Sequence, residues 1–88
     1  MTYALEVAEE LNKQFTKLAK RDKTTLQAIQ EKIPEICENP YHYKPLRAPL
    51  QNKRRVHIAG CFVLVFSIDE ERNVVRLLAF EHHDIAYK

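Results

Sequence analysis

Apolar residues recur along this chain with two different spacings, and the places where the spacing changes mark its elements. Tyr3, Leu5 and Val7 alternate with Ala4 and Glu6, which predicts a short strand with one apolar side. From about Ala8 the period lengthens. Leu11, Phe15 and Leu18 recur at +4 and +3 with Lys13, Lys17 and Lys20 between them, the pattern of an amphipathic helix over 8–20. Arg21-Asp22-Lys23 leaves room only for a tight link, with Asp22 placed to cap a second helix. Leu26, Ile29, Ile33 and Ile36 predict that helix over 23–38. Pro34 lies inside it, and its missing N–H predicts a kinked or weakened last turn. Two such helices with so short a link form an antiparallel hairpin.

Asn39-Pro40 ends the helical half, and Pro40, Pro45 and Pro49 hold 40–50 in an irregular, extended segment. A period of two then returns. Val56 and Ile58 alternate with Arg55 and His57, Ala59-Gly60 is a turn, and Phe62, Leu64, Phe66 and Ile68 alternate with Val63, Val65 and Ser67. Asp69 to Asn73 forms a second turn and Val74 to Phe80 a third strand. The order is β-α-α-β-β-β. The class is α+β, an antiparallel sheet with an N-terminal helical hairpin packed on one face. If Val56, Ile58, Phe62, Leu64, Phe66 and Ile68 face the helices, Arg55 and His57 point to the opposite, open face.

Charge gives that open face a meaning. The net charge is only +2, but 39–68 holds Lys44, Arg47, Lys53, Arg54 and Arg55 and no acid. A basic block inside a nearly neutral chain points to a polyanion partner. The whole chain, 1–88, reads as one domain. Its longest apolar run, near 61–68, is far below the roughly 18 residues of a membrane span. MTYALEVAEEL carries acids where a signal peptide carries bases, so the expected location is the cytoplasm. Cys37 and Cys61 form no CxxC pair and are expected to be reduced. A single glycine, Gly60, excludes a glycine-rich phosphate loop.

The stretch NKRRVHIAGCFVLVFSIDEERNVVRLLAFEHHDIAYK resembles the second half of the RelE/ParE superfamily of toxins from toxin–antitoxin pairs. The features that carry the likeness are a helical segment ending in Asn39-Pro40, a basic strand, the aromatic strand Phe62–Asp69 ending in Ile-Asp, and a His-rich end followed by Tyr87. The resemblance covers the chain in element order and length, and implies the RelE-like microbial RNase-type fold. It also implies a partner, a RelB-like antitoxin, held in a hetero-oligomer. The RelE branch cleaves messenger RNA on the ribosome without a metal, whereas the ParE branch poisons DNA gyrase. Carried over position by position, Lys53, Arg54 and Arg55 match the family's basic strand. RelE-like members have an arginine after the first aromatic of the next strand, and here that position is Val63, so that cation is either absent or supplied from elsewhere, with Arg76 the candidate. A common His-Arg pair near the end is His82-His83 here.

Metal-free RNA cleavage uses the 2′-hydroxyl against the adjacent phosphate. It needs a base, an acid, and cations for the phosphorane charge. His83 or His82 is the first choice for proton transfer, with His57 as a second. Asp84 would orient an imidazole or read as a turn or solvated acid, and Tyr87 would stack on a base, donate its hydroxyl, or pin the terminus as a core or edge aromatic. Arg55 would stabilise the transition state, and Lys53 and Arg54 would hold flanking phosphates. Lys44 and Arg47 extend the surface or read equally as a solvated loop, and His42 between Tyr41 and Tyr43 stacks on RNA or packs on the helices. No cofactor is expected, and no metal, since neighbouring strand histidines point to opposite faces and no second cluster completes a ligand set. A gyrase binder without chemistry, and a degenerate member that only binds its antitoxin, are the alternatives.

Overall fold

A computed structural model of the protein describes residues 2–46 and 52–82. The elements are β1 (Ala4–Val7), α1 (Glu9–Arg21), α2 (Lys23–Glu38), a 3-10 turn (Pro40–His42), β2 (Lys53–Ile58), β3 (Phe62–Asp69) and β4 (Val74–His82). Both helices therefore match the apolar period to within a residue at each end. Among the described residues no helix is long and apolar enough to cross a membrane.

The helices are shaped by their ends. Glu9 and Glu10 open α1 and Lys20 and Arg21 close it, each charge complementing the helix dipole. Asp22 then works as the hinge. Its N–H caps α1 by donating to the Leu18 carbonyl, and its carboxylate caps α2 by accepting from the Thr25 N–H at 3.1 Å and the Thr25 hydroxyl at 2.5 Å. Those two bonds hold the Asp22 carboxyl below the usual range. Pro34 does not end α2, which runs on another turn to Glu38. The ring sits on the exposed side, where water can reach a carbonyl that loses its partner.

The sheet order is β1-β4-β3-β2. β2, β3 and β4 form the expected antiparallel meander, while β1 pairs in parallel with β4, Ala4 opposite Val74 and Val7 opposite Leu77. The sheet is thus mixed. The helical hairpin is the crossover that carries the chain from the β1 edge to the β2 edge, a connection no hairpin turn could make. β1 is tied in at both ends, since the Tyr3 N–H donates to the Cys37 carbonyl at 2.9 Å and the Ala8 N–H to the Leu77 carbonyl at 3.0 Å. Beyond the reach of β1, the Gln14 side-chain amide donates to the Phe80 carbonyl of β4 at 2.8 Å.

Leu11, Ile29, Ile36 and Cys37 of the helices pack on Val56, Ile58, Leu64, Phe66, Val75, Leu77 and Phe80 of the sheet. The expected inward set of β2 and β3 is therefore the core set. β4 is less regular. A β-bulge between Val65 and Phe66 pairs Val65 with Ala79 and Phe66 with Leu77, so Leu78 is the extra residue. The bulge lets both Leu77 and Phe80 enter the core from positions three apart, and it reverses the alternation for everything beyond it.

The β2–β3 turn places Ala59 at φ 54° and Gly60 at φ 81°. Two positive φ angles suit a primed hairpin turn, but an alanine there is strained by roughly 1–2 kcal/mol. Across the molecule, Glu70 in the β3–β4 turn accepts from the Tyr3 hydroxyl at 2.7 Å and from the Tyr41 hydroxyl, pinning the segment after α2 to the sheet.

Two outcomes are expected. Ala59→Gly relieves more strain than it adds chain entropy and should raise stability by about 0.5–1 kcal/mol, read from the urea midpoint. The second concerns pH. The Glu70 carboxyl is lowered by the Tyr41 and Tyr3 hydroxyls, and that of Glu6 by Arg72 and Arg76. A depressed folded-state value contributes stability that is complete above the ordinary 4.5 and is lost as pH falls through the lowered one. The Tyr3 hydroxyl, donating to Glu70, is pushed up from 10.0 to about 12, so its contribution is complete below pH 10.0 and is lost as pH rises through about 12. Melting temperatures should therefore fall on both limbs, and Glu70→Gln should flatten both. Unchanged limbs in that variant would show that the carboxylate does not hold the segment.

Candidate functional site

The candidate site grows from β2. Six residues, Lys-Arg-Arg-Val-His-Ile, alternate so that Val56 and Ile58 are buried while Lys53, Arg55 and His57 share the face away from the helices. The antiparallel register then sets their rows. Lys53 lies opposite Ser67 and Arg76, Arg55 opposite Val65 and Ala79, and His57 opposite Val63 and Glu81. Val63 is 1% exposed, although it lies on the face away from the helices. Its row gives His57 an apolar neighbour and, one strand further, a carboxylate. Glu81 escaped the sequence reading because its orientation depends on the bulge.

The other predicted residues divide. His82 lies opposite Phe62 on the helix-bearing face, with the two rings edge to face at 5.5 Å. The outward row of the basic strand and the first histidine of the pair therefore lie on opposite faces of the sheet. The physical cause is the bulge at Leu78, which turns Phe80 and His82 to the side opposite Arg76. Arg54 also faces away from Arg55. Its guanidinium donates to the Tyr43 carbonyl at 2.6 Å and lies 5.0 Å from the Tyr41 ring centroid, so it fastens the segment after α2 rather than standing ready for a flanking phosphate. Arg76 is on the open face but pairs with Glu6 at 2.6 Å, and Glu6 also takes Arg72 at 2.6 Å. Arg47, His83, Asp84 and Tyr87 lie outside the described residues.

Lys44 is brought to Arg55 by the backbone. The segment 44–46 pairs along the outer edge of β2, with the Leu46 N–H donating to the Lys53 carbonyl at 2.8 Å and the Arg55 N–H to the Lys44 carbonyl at 3.4 Å. Tyr43 anchors this segment by stacking edge-on to the core residue Phe66 at 5.8 Å, and burial pushes its hydroxyl up. A groove of about 380 Å³ results, lined by Lys32, His42, Tyr43, Lys44, Arg55, Val56 and His57. Lys32 was missed by the sequence reading. It reaches the groove from α2, and only the packing of α2 against β2 puts it there. Among the described residues no group of three or more His, Cys, Asp or Glu is placed to hold a metal ion.

The arrangement can bind a polyanion along β2 and offers an imidazole within it. Comparisons with known proteins identify the family. Residues 3–87 match the family model described as the ParE toxin of the type II toxin–antitoxin system parDE. A Methanocaldococcus jannaschii protein provisionally named toxin RelE4 is 50% identical over 98% of this chain and 92% of its own length. An uncharacterized Methanosarcina mazei protein is 51% identical over 97% and 99%. Among solved structures, the toxin–antitoxin complex RelBE2 of Mycobacterium tuberculosis has a chain that superposes with a TM-score of 0.76 at 25% identity, covering 94% of this chain and 93% of that one. A mutant of the E. coli toxin RelE in the free state gives 0.80 at 20% identity over 99% and 90%, a likeness of fold. The basic strand, the mixed sheet under a helical hairpin and these matches lead to one conclusion: the chain belongs to the RelE/ParE superfamily, the toxins of type II toxin–antitoxin systems.

Proposed function

We propose that this toxin is a metal-independent endoribonuclease that cuts messenger RNA on the ribosome, in the cytoplasm, and is neutralised by a RelB-like antitoxin. The observation that carries the reading is the β2 row. Lys53, Arg55 and His57 project from one face at a strand's two-residue spacing, on a scaffold held rigid by Val56 and Ile58 in the core. The antitoxin is supported by the M. tuberculosis neighbour, itself a toxin–antitoxin complex.

In this reading the RNA 2′-oxygen attacks the adjacent phosphorus while its proton passes to a base. The bond from phosphorus to the 5′-oxygen then breaks, and that oxygen takes a proton from an acid. The products are a 2′,3′-cyclic phosphate and a 5′-hydroxyl. His57 supplies one proton-transfer group, since imidazole exchanges protons near neutral pH. His83 supplies the other, with Asp84 orienting it and Tyr87 stacking on a base or donating its hydroxyl. Arg55 carries the phosphorane charge, and Lys53 and Lys44 hold neighbouring phosphates, with Arg47 extending the surface. His82 is left out of the proton transfer by its position on the helix face.

A second reading, a gyrase-directed binder without chemistry, is favoured by the match to the ParE model and by Val63 where RelE-like members carry a cation. The two separate cleanly. Arg55→Ala should lower cleavage of a defined message in a translation extract by about 10²–10³-fold, and His57→Ala by about 10²–10⁴-fold, with melting temperatures unchanged. Primer extension should place the parent's cuts within translated codons. An intact message, together with growth arrest and DNA damage that survive both substitutions, would replace the ribonuclease reading with the gyrase one.

A further inference from the structure

The groove on the outer edge of β2 has features that the row on the open face does not account for. Three of its lining residues are cations, and they come from three different elements: Lys32 from α2, Lys44 from the segment after the 3-10 turn, and Arg55 from β2. Three cations in one lining give the groove a positive wall suited to an anion. The scaffold is fixed here. Tyr43 is seated on Phe66, Arg54 holds the Tyr43 carbonyl, and the segment 44–46 is paired to β2.

The groove also has an aromatic wall. His42 is exposed and meets Tyr43 edge to face at 5.2 Å, which presents a ring beside the cations. Cations flanking an aromatic surface are the recurring means of holding a single-stranded nucleotide, phosphate on the charges and base on the ring. At about 380 Å³ the space falls within the roughly 300–1,000 Å³ of small-molecule sites. Carboxylates border it, Glu35 and Glu38 beside His42 and Tyr43 and Glu31 and Glu35 on the side of His57. The adjoining groove, about 350 Å³, is lined by Glu31 and Glu35 together with Lys32 and His57. Carboxylates there repel a continuing phosphate backbone, so the site ends after about one nucleotide rather than opening into a track. Lys32 is paired with Glu35 at 3.2 Å, with 37% and 61% of the two side chains exposed, and so exposed a pair contributes little and yields to a phosphate.

We propose that this groove is a nucleotide subsite for single-stranded RNA, with Lys32 and Lys44 on one backbone phosphate and a base against His42 and Tyr43. The subsite rests on the ribonuclease reading and extends it around the edge of β2, from Arg55 on the open face toward α2. Lys32 becomes a binding residue, and Glu35 sets how readily it lets go of its own acid.

The test is fluorescence anisotropy with the purified chain and a labelled 2′-O-methyl hexanucleotide, which lacks the nucleophile and survives the measurement. Lys32→Gln and Lys44→Gln should each weaken binding about 3–10-fold and lower the slope of log K against log salt, and the two together should lower it by about 0.7, the contribution of one phosphate on a single strand. Glu35→Gln should tighten binding about twofold. Lys17→Gln, on the exposed side of α1, should leave both affinity and slope as in the parent. Arg55→Ala separates the two levels. If it weakens binding while Lys32→Gln matches the parent in affinity and slope, the subsite is overturned and the ribonuclease reading stands. If the parent does not bind, the subsite is overturned, while the ribonuclease reading stands or falls separately on the cleavage of a defined message. Lys32 is half-exposed, so its loss should leave the melting temperature in place, and that check excludes unfolding as the cause.

Discussion

Val56 lies opposite Leu64 and Ile58 opposite Phe62, and Val56, Ile58 and Leu64 are buried beneath the helical hairpin. That register is the constraint on which the rest of the molecule depends. Strand side chains alternate, so a slip of one residue would put Arg55 and His57 into the core and Val56 and Ile58 into water. Burying an unpaired charge there would cost far more than the hydrophobic contacts return. The apolar half of β2 therefore does two jobs at once. It closes the core against α2, and it aims three polar side chains outward from a backbone that cannot turn.

The same register explains what the edge of the sheet becomes. β2 is an outer strand, and a bare outer strand invites pairing with other chains. Here the segment 44–46 covers part of it and brings Lys44 to Arg55. Arg54, pointing the other way, locks that segment through the Tyr43 carbonyl and the Tyr41 ring, and Glu70 holds Tyr41 from the next turn. Three consecutive residues of one basic run thus have separate uses: Lys53 and Arg55 on the surface, Arg54 in the framework. A count of charges in the sequence cannot make that division, and the alternation of a strand makes it directly.

What was legible in the sequence was whatever local period controls. The two helices followed from apolar spacings at +3 and +4, and the cap at Asp22 from its place between them. The inward set of β2 and β3 followed from a period of two. What was not legible depends on events with no period. The parallel pairing of β1 with β4 is a choice of partner across some 70 residues, and nothing in Ala4–Val7 encodes it. The bulge at Leu78 is hidden because Leu77-Leu78 are both apolar and either could face the core. That single extra residue removes His82 from the open face and places Glu81 on it, next to the row of His57. Lys32 could not be found from the sequence because its position in the groove belongs to the packing of α2 on β2, two elements separated by the whole 39–52 segment.

The central claim is that β2 works on its ligand through the outward half of its alternation, with the segment beside it. Amide and side-chain NMR shifts during titration of the labelled protein with the uncleavable hexanucleotide test this most directly. The account predicts that the shifts cluster at Lys53, Arg55 and His57 and at 42–44, with Lys32 the responding residue of α2. Shifts confined to α1 and the outer side of the helical hairpin, with β2 silent, would contradict it.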